Sequence, residues 1–170
     1  MNYQQAESDI VARLQPLAGA DLEVIELPEN LSGFNRPFEK GKITVAYKGS
    51  KWDKPRSTAQ ITQQEELSFE ISMQSRTLRG PKGIYAIKYL VTKALLGFQP
   101  TDCERMYAHE SGMTGTATQN DGVWTYSAIF CCTGLVVEDF EEDLSVILNR
   151  ISNLFPQYPG DDFDVTPPSN

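Results

Sequence analysis

Between Leu67 and Leu95 the chain changes its hydrophobic period, and that change limits the folds open to it. Leu67, Phe69, Ile71 and Met73 alternate with Glu66, Ser68, Glu70 and Ser72, the period-two pattern of a strand with one face in a core. The alternation predicts a strand within Ser57–Ser75. Past Gly80-Pro81 the apolar residues Ile84, Ile87, Leu90, Val91, Ala94 and Leu95 recur at three and four, the period of an amphipathic helix. Proline is tolerated in a first helical turn, Gly97 suits the position after the last one, and Pro100 blocks continuation. A helix is therefore predicted over Pro81–Leu96, with Leu90 in its buried stripe. A one-faced strand followed by a one-striped helix calls for a sheet layer covered by a helix layer.

The rest of the chain supplies further elements of both kinds. Residues 3–15 read as a short helix, with Ile10 and Leu14 one turn apart and Pro16 against continuation. Asp21–Pro28 (DLEVIELP) is rich in branched apolar residues and reads as a strand. Glu29–Lys40 holds Asn30, Ser32, Gly33, Asn35 and Pro37 and reads as a loop. Ile43, Val45 and Tyr47 alternate with Thr44, Ala46 and Lys48, a second strand that Gly49–Pro55 is expected to end. Glu104–Glu110 reads as a strand, Ser111–Gly122 as a loop, and Val123–Glu138 (VWTYSAIFCCTGLVVE) as one long strand with a bulge expected at Gly134. Asp139 has Glu142 three residues on, the pattern of a capping box. Phe140, Leu144, Ile147, Ile151 and Leu154 then form a stripe, so Phe140–Phe155 is expected to be a helix that Pro156 ends. The order is helix, three strands, helix, two strands, helix: an α+β fold, a mostly antiparallel sheet with helices packed on one face. One domain over residues 1–155 is expected, followed by an acidic, proline-rich tail over 156–170.

Composition narrows the function. A length of 170 residues suits one hydrophobic core, and 40% hydrophobic with 22% charged residues is an ordinary globular mixture. No apolar run approaches the roughly 18 residues that cross a bilayer, and the N-terminal residues carry no secretory pattern, so no membrane partner is expected. A net charge of −8 argues against broad nucleic-acid binding. Three cysteines, two of them adjacent, argue against a disulfide framework and fit a reducing cytoplasm. The single histidine, His109, excludes any site that needs two imidazoles.

The candidates for chemistry have simpler explanations. Cys131 and Cys132 fall mid-strand, so their side chains point to opposite faces, which disfavours joint metal ligation and fits packing. Cys103 and His109 are the pairing that would make a thiolate–imidazole couple, but no activating helix start or orienting group accompanies them. Arg79-Gly80-Pro81-Lys82-Gly83 lacks the spacing of a phosphate loop, and its proline removes an amide; a turn leading into the helix suffices. Glu141, Glu142 and Asp143 fall in a first helical turn, where negative charge is favourable in any case. No catalytic residue, cofactor or metal is expected, and changes at Cys131, Cys132 or His109 are expected to affect packing or stability at most.

Charge is segregated along the chain. Residues 36–56 carry seven cations against two anions, a net of +5, and residues 138–170 carry eight anions against one cation, a net of −7. Two solvated faces account for this, and so does head-to-tail association, in which a positive patch meets a negative one and the contacts close into a ring. The interface candidates are Arg36, Lys40, Lys48, Lys51, Trp52, Lys54 and Arg56 on the basic side and Glu141, Glu142 and Asp143 on the acidic side. Lys48–Arg56 reads as a loop tipped by Trp52, and tryptophan and arginine are favoured interface anchors; Trp52 folding back on its own sheet is the alternative.

Three stretches, Gly41–Trp52 (GKITVAYKGSKW), Leu78–Pro100 (LRGPKGIYAIKYLVTKALLGFQP) and Asp121–Glu138 (DGVWTYSAIFCCTGLVVE), together resemble the tail terminator, or tail completion, proteins of tailed phages and phage-derived contractile particles, in the Mu-like group. The resemblance covers roughly residues 5–138 and includes no catalytic residue. It implies an α+β subunit that assembles as a homohexameric ring at the head-proximal end of the virion tail, built in the host cytoplasm. Such a ring caps the tail tube, touches the last sheath ring, and joins the neck or connector, while DNA passes through its lumen without specific binding. A non-phage α+β protein-binding module with no catalytic activity is the alternative, and a small thiol enzyme a third reading. Native mass separates the first two, and thiol alkylation tests the third.

Overall fold

A computed structural model of the chain describes residues 2–19, 22–28, 41–56, 61–110, 118–120 and 122–138. In order these give α1 (Tyr3–Leu14), β1 (Leu22–Glu26), β2 (Gly41–Trp52), β3 (Thr62–Ser75), α2 (Ile84–Leu95), β4 (Tyr107–Ala108), β5 (Thr118–Asn120) and β6 (Val123–Val137). The expected loop Glu29–Lys40 and the expected helix Phe140–Phe155 lie outside the described residues. Residues through Val137 make one compact unit. The fold is α+β. The sheet runs β1-β2-β3-β6-β4, with β5 also on β6; β1 and β2 are parallel and every other pairing is antiparallel.

The centre of the molecule follows from the strand alternation. Leu67, Phe69, Ile71 and Met73 are all fully buried. Register sets Phe69 between Tyr47 and Phe130, Ile71 between Val45 and Ala128, and Met73 between Ile43 and Tyr126. Burying each such side chain contributes roughly 1.5–3 kcal/mol. α2 lies over β3 and β6 and brings Ile84, Ile87, Val91 and Leu95 to this core, while α1 lies over β1 and β2 and brings Ala6, Ile10 and Leu14. Leu90, expected in the buried stripe, is 40% exposed instead. It falls at the margin of the apolar arc, where α2 turns away from the sheet.

Each helix is fixed by local chemistry. Asn2 caps α1, its side chain accepting from the Gln5 N–H at 3.2 Å. Asp9 accepts from the Thr101 N–H at 2.8 Å, and hydrogen bonds from the Thr101 side chain and then from that N–H hold its carboxyl below the usual aspartate range. Arg13 donates to the Ala94 carbonyl at 3.1 Å and lies over the Phe98 ring at 5.5 Å, which joins α1 to the end of α2. The turn before α2 demands Gly83: a Cβ there would sit 2.6 Å from the Arg79 carbonyl group.

Several boundaries differ from the sequence expectation. Gly49–Pro55 does not end β2, which continues to Trp52 through a bulge between Tyr47 and Gly49. Gly49 takes φ +133° there, a conformation that favours glycine. Gly134, where a bulge was expected, stays in register opposite Glu65. Of the strand expected over Glu104–Glu110 only Tyr107–Ala108 is regular, although the segment follows the edge of β6 throughout: the Glu104 N–H reaches the Thr133 carbonyl at 2.7 Å and the His109 N–H the Ile129 carbonyl at 3.0 Å. The loop expected over Ser111–Gly122 contains β5, paired with the start of β6 from Asn120↔Val123 to Thr118↔Thr125.

Candidate functional site

The basic interface candidates are partly brought together. Lys48, Lys51 and Trp52 stand on β2 rather than in a loop, and Trp52 pairs with Glu65 of β3 rather than tipping a turn. The following segment stays pinned to β3, because the Asp53 N–H reaches the Gln64 carbonyl at 2.9 Å and the Arg56 N–H reaches the Thr62 carbonyl at 3.0 Å. Arg56 also donates to the Gln64 side chain at 2.7 Å and lies 3.8 Å from Asp53. Lys48 pairs with Glu70 at 3.3 Å. Exposed pairs of this kind contribute at most about 1 kcal/mol, so the cations remain available to an outside partner. The result is an arm in which Lys51, Trp52, Lys54 and Arg56 are exposed, Trp52 to 50%. Arg36, Lys40, Glu141, Glu142 and Asp143 lie outside the described residues.

A second surface was missed by the sequence reading. Tyr85 and Tyr89 of α2, with Leu96 just past its end, fall on one side at spacings of four and seven, and are 48%, 65% and 58% exposed. Between residues 71 and 101 the chain has no acidic residue but carries Arg76, Arg79, Lys82, Lys88 and Lys93. That acid-free interval, together with tyrosines one turn apart, was the signal available in the sequence. Lys88 lies over the Tyr126 ring at 4.7 Å, and the Arg79–Gly83 segment is a turn leading into α2, closed by the Gly83 N–H on the Gly80 carbonyl at 3.1 Å.

The sheet face opposite the helices is polar. Among the described residues no helix covers it. Ser72 and Ser127 hydroxyls lie 3.0 Å apart, and Ser68 lies 3.5 Å from the Cys131 sulfur. Tyr107 donates to Glu66 at 2.7 Å. Burial pushes the Tyr107 hydroxyl well above its ordinary value, with Glu66 adding to the effect, so it remains a donor. Ligand atoms of Glu66, His109 and Cys131 all lie within 4.8 Å of one another on this face. Burial raises the Cys131 thiol, and the Ser68 bond partly offsets it.

The two adjacent cysteines do point to opposite faces. Cys132 joins the hydrophobic core, where its bond to Cys103, followed by burial, pushes its thiol far up. The Cys103–His109 pairing weighed from sequence does not form: Cys103 sits with Cys132 in the core, and His109 sits with Cys131 and Glu66 across the sheet.

No curated protein matches this chain. Among solved structures, a chain from the virion of a native gene transfer agent particle is similar at 16% identity, with a TM-score of 0.41 over 77% of this chain and 89% of that one. The match that carries weight is to a family, described as Gp37 protein, over residues 10–154. That span takes in the last turn of α1, all of α2, all six strands and both candidate surfaces, so the chain belongs to the Gp37 protein family.

Proposed function

We propose that this chain is a structural subunit of a tailed-phage or phage-like virion and, within that class, a tail terminator. In this reading it forms a ring of about six copies joined head to tail, caps the tail tube beside the last sheath ring, and joins it to the neck or connector. The observation that carries the proposal is the pair of exposed anchors on one small subunit: the aromatic side of α2, with Tyr89 65% exposed, and the cationic arm with Trp52 50% exposed. Large exposed aromatics next to cations are what assembly surfaces present. Membership of the Gp37 family supports the reading, as does the position of the three resembling stretches. They form β2, the turn and helix α2, and β6, which surround the central strand β3.

Net charge fits the same reading. At −8 per copy, a ring carries a field that lowers the sticking of a passing duplex.

The test is native mass spectrometry of the purified chain, together with electron microscopy of particles made with and without it. A ring on the head-proximal tail end, and tails of uncontrolled length in its absence, are expected. A monomer in solution and in particles alike, or tails of normal length without it, would overturn the assignment.

A further inference from the structure

We propose that Glu66, His109 and Cys131 form a transition-metal site, best suited to Zn2+, on the polar face of the sheet. The inference is independent of the ring: it rests on strand register. β6 stands between β3 and the edge segment, so Cys131 is opposite Ser68 on one side and Tyr107 on the other. Glu66 is opposite Thr133, one position along the same face. His109 is anchored two residues past Tyr107 by its N–H to the Ile129 carbonyl at 3.0 Å. Three elements distant in sequence thus bring an oxygen, a nitrogen and a sulfur donor within 4.8 Å of one another.

Donors sharing a tetrahedral Zn2+ stand about 3.2–3.8 Å apart, given metal–ligand bonds of about 2.0–2.3 Å. Small side-chain rotations therefore complete the geometry without moving the strands. The donor set selects the ion: a thiolate and an imidazole favour zinc, cobalt or copper, whereas magnesium and calcium require oxygens. Supporting contacts are present too. Tyr107 donates to one oxygen of Glu66 at 2.7 Å, which orients the carboxylate, and the Ser68 hydroxyl stands 3.5 Å from the sulfur. Cys131 is fully buried while Glu66 and His109 are half-buried, so the fourth position opens outward and takes water. Binding converts the Cys131 thiol to a thiolate and releases its proton to solvent, so affinity rises with pH. The ion would tie the edge segment through β6 to β3, linking a strand edge that has only two regular residues to the centre of the sheet.

The test uses the full chain, stripped with a chelator and titrated with Co2+. One equivalent is expected to produce a thiolate-to-cobalt charge-transfer band that Zn2+ displaces. Cys131→Ser should abolish the band, and His109→Ala should weaken Co2+ binding about tenfold or more. Cys103→Ser should retain it, because Cys103 lies on the other side of the sheet. No band in the wild-type chain, or a band and affinity unchanged by His109→Ala, would overturn the site. Should Cys131→Ser fail to fold, the His109 variant and the wild-type titration still decide.

Discussion

Glu65 is a carboxylate with no exposed surface, on the helix-facing side of β3. A buried acid is tolerated only where its charge has donors. Here the Tyr3 hydroxyl bridges both carboxylate oxygens at 3.2 Å, while its ring stacks on Tyr47 at 5.3 Å. Burial, followed by the charge of Glu65, raises the Tyr3 hydroxyl above its ordinary value, which keeps it a donor. A raised folded value means the contribution is fully present below about pH 10, the unfolded tyrosine value, and fades as pH rises through the folded value. Tyr3→Phe keeps the stack and removes the donor, so it should cost about 1–3 kcal/mol in a urea melt near neutral pH. Pairing it with Glu65→Leu should recover part of the loss, because an apolar pair leaves nothing unsatisfied. A loss under about 0.5 kcal/mol in the single variant would mean that Glu65 is held by other donors.

At the scale of the elements, the strand and helix that changed period are the parts the structure reproduces most closely. Phe69 has no exposed surface and sits between Tyr47 and Phe130. Phe69→Ala should therefore cost about 3–5 kcal/mol. Leu90→Ala, on the margin of α2, should cost under about 1.5 kcal/mol, since much of that side chain already meets water. Equal losses for the two in denaturant melts would mean that Leu90 is covered in solution. Periodicity made β3 and α2 legible because both bury one side against a single layer. It was blind to the far half of β2, where the Gly49 bulge shifts the register and glycine and proline read as punctuation. It was blind to β5 and overstated β4 because edge pieces of two or three residues are defined by their partner, not by a pattern of their own. The cluster on the polar face was illegible for a similar reason. Sequence spacing put His109 nearest to Cys103, whereas pairing across β6 puts it beside Cys131 and Glu66.

For the whole molecule, the proposed ring has two candidate closing surfaces, and they obey different physics. As a ring contact the arm carrying Lys51, Lys54 and Arg56 would meet an acidic neighbour through charge, and an exposed charge contact weakens as salt shortens the Debye length from about 10 Å at 0.1 M to about 3 Å at 1 M. The aromatic side of α2, with Tyr85, Tyr89 and Leu96, would instead join by burying apolar area, which salt does not screen. Substitutions at exposed positions usually change stability by under about 0.5 kcal/mol each, so both sets of variants should fold. Lys51→Glu with Lys54→Glu and Arg56→Glu should leave the subunit's melting transition nearly intact and deplete rings in native mass spectra at low salt. In wild-type protein the ring population should fall between 0.1 M and 1 M salt, because the added ions screen the attraction between the cationic arm and its acidic partner. Tyr85→Ser with Tyr89→Ser should reduce rings equally at both salt concentrations. Rings that persist at high salt and in the arm variant, but vanish in the tyrosine variant, would assign closure to α2 and leave the arm free for the tube, sheath or neck. A folded arm variant that also completes tails normally would reduce the arm to a solvated end of the β2–β3 pair.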